Sequence, residues 1–197
     1  MVTPSVDPRA EIARAVDAYR ATASVTELLD CLDRAAHDAD PELLAAAVEP
    51  FRELPEVAGP VYEHIVRMRP TDARALVILA NAYWLTGRGP DAVGALAARA
   101  IASDPMNRGA WHLWALTEGE PRARMVRWAQ VCERFPADEL ARANLADNAA
   151  SVADAERDPD ALAVAIRTYE WLLSRAIHAE QRHALEHVLS VLGAWRL

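Results

Sequence analysis

Residues 73–106 read ARALVILANAYWLTGRGPDAVGALAARAIASDPM, and their spacing decides the fold class. Leu76, Leu79, Ala80 and Tyr83 recur at intervals of three and four, which puts them on one face of a helix. Gly87 suits the left-handed stop of that helix. A second helix follows, with Ala92 and Leu96 on one face, and Pro105 closes it. Ala80 is small enough to let the second helix approach closely, Ala92 is its small counterpart, and Leu96 fills the space between them. One such hairpin cannot bury its apolar stripes by itself, so the pattern requires neighbours of the same kind.

The neighbours are present. Pro70, Pro105 and Pro136 are spaced 35 and 31 residues apart. The order of residues in 73–106 resembles a tetratricopeptide repeat, in which a W-x2-L-G-x2-Y run precedes A-x3-F and a closing Pro, with a period near 34. The unit from Arg108 keeps Trp111, Trp114, Ala115 and Trp128 but has Glu118 in the tyrosine position and Arg124 in a small-residue position. The unit from Glu139 keeps Leu145, Ala146, Ala165, Tyr169 and Leu172, with an extended loop expected near Asp154–Asp158. Upstream, Ala39–Pro70 retains Ala46, Ala58 and Tyr62, while Pro50 shortens or kinks its first helix. The resemblance implies an all-α superhelical array, an α-solenoid of antiparallel helix pairs. It also implies one domain over 1–197: an N-terminal pair at 8–37, repeats at 39–175 and a capping helix at 178–197.

Composition agrees with this class. Hydrophobic residues make up 52% of the 197, and only 7 are glycine, which favours helices over β-hairpins. The formal charge is −8, from 29 acidic and 21 basic residues, and every basic residue is arginine. The arginines are spread among the acids without a basic face, so no nucleic-acid partner is expected. The start, MVTPSVDPRAEIARAV, lacks a basic region followed by an apolar core, and no apolar run is longer than the six residues of Ala75–Ala80. Neither a signal peptide nor a membrane span is expected, and the location read from this is cytoplasmic. Cys31 and Cys132 read as small apolar residues of a reducing compartment.

Helix boundaries follow from capping signals. Asp7-Pro8, Asp40-Pro41 and Asp158-Pro159 set an acceptor before a proline at the first helical position. Thr71-Asp72 and Ala137-Asp138 play the same opening part, and Ser24 to Glu27 fits a capping box. About eleven helices are predicted, near 8–22, 25–37, 41–53, 56–68, 72–86, 90–102, 107–118, 121–134, 138–152, 159–175 and 178–195. In the last, Leu185, Val188, Leu189 and Leu192 face inward, and Glu180, Arg182 and Glu186 face outward.

If Leu76–Tyr83 faces the partner helix, the opposite stripe is free. It carries Arg74, Val77, Ile78, Asn81 and Leu85, flanked by Trp84. The resemblance implies that this stripe lines a concave groove for an extended or helical peptide. It extends to His112, Leu113 and Leu116, then to Leu140, Ala143, Asn144 and Asp147. Asn81 and Asn144 fall where some members of the family place amides that hold a peptide backbone or carboxylate. The accompanying lysines are missing, and Val77 stands where one would be; Arg74 or Arg108 is the available substitute. The apolar members suit an amphipathic helix or apolar peptide. The same residues would equally serve to pack against helix 41–53 or a second copy of the chain.

Other chemistry has weaker sequence support. Glu180, His183 and His187 share a helical face and include one Glu-x-x-His pair, but no second such pair occurs and the order is not HExxH. GRGPDAVG lacks the lysine of a phosphate loop, and no Gly-x-Ser-x-Gly elbow exists. Trp111, Trp114, Trp128 and Trp171 sit at core spacing, whereas Trp84 and Trp195 are expected at the surface. The expected function is a non-catalytic, cofactor-free adaptor for a protein or peptide. The rivals are a structural subunit or homo-oligomer using the apolar stripe, and a metal protein or enzyme built on His183 and His187.

Overall fold

A computed structural model describes residues 7–196, so the N-terminal stretch read for a targeting signal begins outside the described residues. Eleven α-helices and no strand occur among them. They are α1 (Pro8–Thr22), α2 (Val25–Ala36), α3 (Pro41–Val48), α4 (Pro55–Met68), α5 (Ala73–Leu85), α6 (Pro90–Ser103), α7 (Arg108–Leu116), α8 (Pro121–Arg134), α9 (Glu139–Glu156), α10 (Pro159–Arg175) and α11 (Ala179–Gly193). The all-α reading and its helix pairs therefore hold. None of these helices is long and apolar enough to cross a membrane.

Side-chain caps open most helices. Asp7, Ser24, Asp40, Asp72, Glu120, Asp138 and Asp158 each accept a backbone N–H in the first turn. Such a bond satisfies a donor that the helix cannot use internally. Pro8, Pro41, Pro55, Pro90, Pro121 and Pro159 then occupy opening positions, where a missing N–H costs nothing.

The chain divides into two compact units, Met1–Leu113 and Trp114–Leu197. In the first, α1 packs on α2 and α3, α2 and α3 on α4, α4 on α5, and α5 on α6. Ile12, Val16, Leu28, Leu32, Leu44, Val57, Ile65, Leu76 and Val93 are among its fully buried large side chains. Between α5 and α6 the small residues Ala80, Ala97 and Ala100 are completely buried and Leu96 nearly so. Ala92, expected as the small counterpart, is half-buried, while Ala97 and Ala100 of the same helix are completely buried. Gly87 has φ +71° and Gly89 φ +91°, and the two let α5 stop and α6 restart within four residues.

The upstream unit departs from expectation. Ala46 is exposed rather than packed, because α3 ends at Val48 and a 3-10 turn at Glu49–Phe51 carries Pro50. Glu42 and Glu49 occupy the same face, and their carboxylates keep that face in water.

In the second unit α8 packs on α9, α9 on α10 and α10 on α11. The extended loop expected at 154–158 is absent, because α9 runs on to Glu156. Val152 and Ala153, at the base of this added turn, are buried beside Ala161, and Arg157 in the left-handed region ends the helix. Arg122 of α8 donates to Glu156 at 2.6 Å and also to Asp158, tying the end of α9 to the start of α10. Trp195, expected at the surface, is half-buried against the cluster of Ala146, Ala149, Ala165 and Leu172. Leu192 is buried as expected, but Leu185, Val188 and Leu189 are only partly covered.

Two outcomes follow from these contacts. Gly87→Ala meets no atom within 4 Å of the added methyl, so only its backbone conformation is penalised. Urea unfolding should show a loss of about 1–2 kcal/mol. The Arg122 guanidinium, aided by the Ala161 N–H, holds the Asp158 carboxyl below its ordinary value. A depressed carboxylate stabilises above its unfolded value, near pH 4, and that stabilisation is lost as pH falls through the folded value. Arg122→Met should therefore narrow the gap between neutral and acid stability, read as Tm against pH from about 7 down to about 3.

Candidate functional site

The outward stripe of α5 is where the sequence places the groove. Val77, Ile78, Asn81 and Leu85 line a single recess of about 250 Å³, together with Ala82 and with Arg52, Glu53 and Pro55 at the entry to α4. Ala75, Leu76, Leu79 and Ala80, on the inner face of the same helix, are buried. A helix with one buried and one open stripe gives this division, and the open stripe is apolar here for lack of polar residues at 77, 78 and 85. Leu85 is 60% exposed and Trp84 40% exposed, both high for large apolar side chains. Asn81 is exposed and Val77 and Ile78 are half-buried. A Cβ on Gly109 of α7 would come within 3.3 Å of Val77 Cγ1, so α7 shuts one side of that residue.

The remaining predicted residues are placed differently. Arg74 lies outside the recess and pairs with Glu49 at 3.5 Å. His112 is half-buried, and Leu113 is buried at 9% exposure, so Leu113 presents no surface to a partner. Leu116, Asn144 and Asp147 belong to the second unit. There Leu116 and Leu140 are exposed. The Asn144 side-chain amide donates to Leu140 O at 2.9 Å, within its own helix. Asp147 accepts from the Tyr169 hydroxyl of α10, so both polar side chains already hold partners. Burial, then that bond to Asp147, raises the Tyr169 phenol well above its ordinary value.

Arg52, Glu53 and Pro55 went unnoticed in the sequence as site residues. The signal was available: Pro50 and Pro55 bracket a short turn that must project its charged residues beside the next helix. Arg52 donates to Glu49 at 3.0 Å and to Glu53 at 3.2 Å, so the rim of the recess is ion-paired.

The second unit carries the two departures from the repeat as one network. Glu118 pairs with Arg127 at 2.6 Å, Arg127 donates to Trp114 O at 2.7 Å, and its guanidinium lies 4.5 Å from the Trp114 ring. Arg124 reaches Asn148 at 2.7 Å and Glu118 O at 3.1 Å. Hydrogen bonds and a cation–π contact thus replace apolar packing between α7 and α8. Trp128 is 3% exposed, as its core spacing implies. Trp111, Trp114 and Trp171 are only half-buried. Trp171 lies between the guanidiniums of Arg142 and Arg175, at 4.1 and 4.3 Å.

The reactive groups that the sequence offers are dispersed. Glu180, His183 and His187 are all exposed on α11, and among the described residues no three His, Cys, Asp or Glu side chains are grouped to hold a metal ion. Cys132 is buried, and burial pushes its thiol up to about 11, far from a nucleophilic thiolate at neutral pH. Cys31 is half-buried and accepts from Arg34 at 3.1 Å.

No protein-family profile matches the chain, and no curated protein matches it in sequence. Solved structures do match in shape. A crystal structure of MamA superposes with TM-score 0.61 at 17% identity, over 82% of this chain and 96% of the other. A second MamA structure gives 0.59 at 16% identity, over 88% and 97%. TTC0263, described as a thermophilic TPR protein of Thermus thermophilus, gives 0.51 at 17% identity, over 95% and 100%. The fold is thus that of tetratricopeptide repeat proteins.

The burial pattern separates two of the predicted residues. Leu113→Ala should cost about 2–4 kcal/mol in chemical unfolding, as a buried leucine does. Leu85→Ala, at an exposed position, should stay within about 0.5 kcal/mol of the parent.

Proposed function

We propose that the chain is a non-catalytic adaptor that holds an amphipathic helix or apolar peptide of a partner protein against the open stripe of α5. The observation that carries this is the gathering of Val77, Ile78, Asn81 and Leu85 around one recess beside the exposed Trp84. A recess of about 250 Å³ accommodates one or two apolar side chains. Asn81 at its edge can donate to and accept from a peptide unit. The Arg52–Glu53 rim sets the polar boundary that anchor pockets carry. Repeat arrays use such helix faces for binding because the opposite face is spent on stacking.

A second copy of the chain is the competing occupant, favoured by the same exposed Trp84 and Leu85. The test combines affinity capture from the native host, read by mass spectrometry, with sedimentation of the pure protein. Asn81→Ala with Trp84→Ala should lose a specific heterologous partner while circular dichroism stays unchanged. Partners retained by that variant would move the interface off α5. Concentration-dependent dimerisation abolished by the same variant would assign the stripe to self-association.

A further inference from the structure

A second opening in the first unit lies away from this recess. It is a cleft of about 450 Å³ between α3, α4 and α5. Its origin is legible in the repeat. At the period of about 34, the packed stripe Leu76, Leu79, Ala80 and Tyr83 corresponds upstream to Glu42, Ala45, Ala46 and Glu49. All four of these upstream residues line the cleft. In α3 the packing falls instead to Leu44, Ala47 and Val48, which leaves the face with Glu42, Ala45, Ala46 and Glu49 open to the cleft.

The cleft therefore has an apolar floor and a rim of both charges. Ala45, Ala46, Ile65 and Ala75 supply the floor. Arg69 donates to Glu42 at 3.0 Å on one side, and Arg74 pairs with Glu49 at 3.5 Å on the other. Exposed ion pairs of this kind contribute little, so they open readily toward a ligand that replaces both partners. Tyr62 is 3% exposed and lines the cleft, yet its hydroxyl makes no hydrogen bond to another described residue. Tyr62 shares the lining of the cleft with Glu49 and Arg74, and burial raises its phenol above the ordinary value. The Asp72 carboxylate itself is engaged in capping α5 through Ala75 N at 3.0 Å.

We propose that this cleft binds a small zwitterion, an α-amino acid or dipeptide with an apolar side chain. The ligand's carboxylate takes Arg69 or Arg74, its ammonium takes Glu42 or Glu49, and its side chain lies on the floor of Ala45, Ala46, Ile65 and Ala75. Tyr62 donates to the carboxylate. A single charge of either sign would leave half the rim unsatisfied, and an uncharged apolar molecule would have to strip both pairs of water without replacing them. The cleft shares no lining residue with the recess on α5, and the bond from Arg52 of the recess rim to Glu49 ties the two together.

The test is isothermal titration of the full chain with L-leucine, with Leu-Leu and with N-acetyl-leucine amide, which carries neither charge. Saturable binding of at least one zwitterion is expected, at least tenfold tighter than the capped compound. Leucine binding alone identifies a free amino acid; a tenfold preference for Leu-Leu identifies a peptide. Tyr62→Phe should weaken binding about fivefold, the worth of one hydrogen bond. Glu42→Leu with Glu49→Tyr removes both carboxylates and fills the cleft, and should abolish binding while helicity is kept. No saturable heat with either zwitterion overturns the proposal, as does equal affinity for the capped compound. A Tyr62→Phe chain that is fully helical and binds as tightly as the parent overturns it too.

Discussion

Everything in the first unit depends on the close approach of α5 and α6. Ala80, Ala97 and Ala100 are completely buried, and only side chains this small let two helices pack with Leu76 and Val93 filling the layers beside them. Once α5 is held on this side, its opposite stripe is committed to face outward, and the recess beside Arg52, Glu53 and Pro55 follows. A larger residue at position 80 would not just cost packing energy. It would rotate or displace α5 and so change which side chains reach the recess.

The two units solve the same stacking problem with different chemistry. The first is apolar at its helix contacts, with polar ties such as the Tyr83 hydroxyl donating to Glu63 at 2.8 Å only at the margin. The second uses arginine as a structural residue: Arg122, Arg124, Arg127 and Arg142 each bond or stack across to another element or loop. A planar guanidinium can hydrogen-bond in its plane and stack on its faces at once, which an ammonium cannot do. An all-arginine basic complement is therefore used by this fold, whatever set it in the first place. The cation–π contacts on Trp171 explain why a tryptophan at core spacing is only half-buried: its ring is shared between the apolar cluster and two guanidiniums that need water.

Much of this was legible in the sequence because helix punctuation is local. Aspartate before proline, or aspartate alone, marks a helix start through bonds within three residues, and each such mark is matched by an observed cap at Asp7, Asp40, Asp72, Asp138 and Asp158. The inner stripe of α5 was legible for the same reason. What escaped depends on distant residues. Ala46 resembles a packing alanine until the two glutamates on its face are considered together with Pro50. The loop expected at 154–158 became helix because Val152 and Ala153 find cover from Ala161, a pairing across the hairpin. Trp195 lies beyond the last regular helix, and its burial depends on a cluster contributed by α9 and α10. Of the candidate site, periodicity found the residues on α5 but not the turn facing them. It also could not tell that Asn144 and Asp147 already hold partners inside their own helix pair.

The position of α9 has a consequence for how the second unit comes apart. Packed by both α8 and α10, it buries six residues, from Ala141 near its start to Ala153 near its end. By contrast α11 buries only Leu192 among its described residues, and its main packing is on α10. Cooperative openings in such an arrangement begin where a helix has one neighbour and end where it has two. Amide protons of α9 therefore exchange with solvent last in this unit and those of α11 first, so the unit opens from α11 toward α9 instead of melting at once.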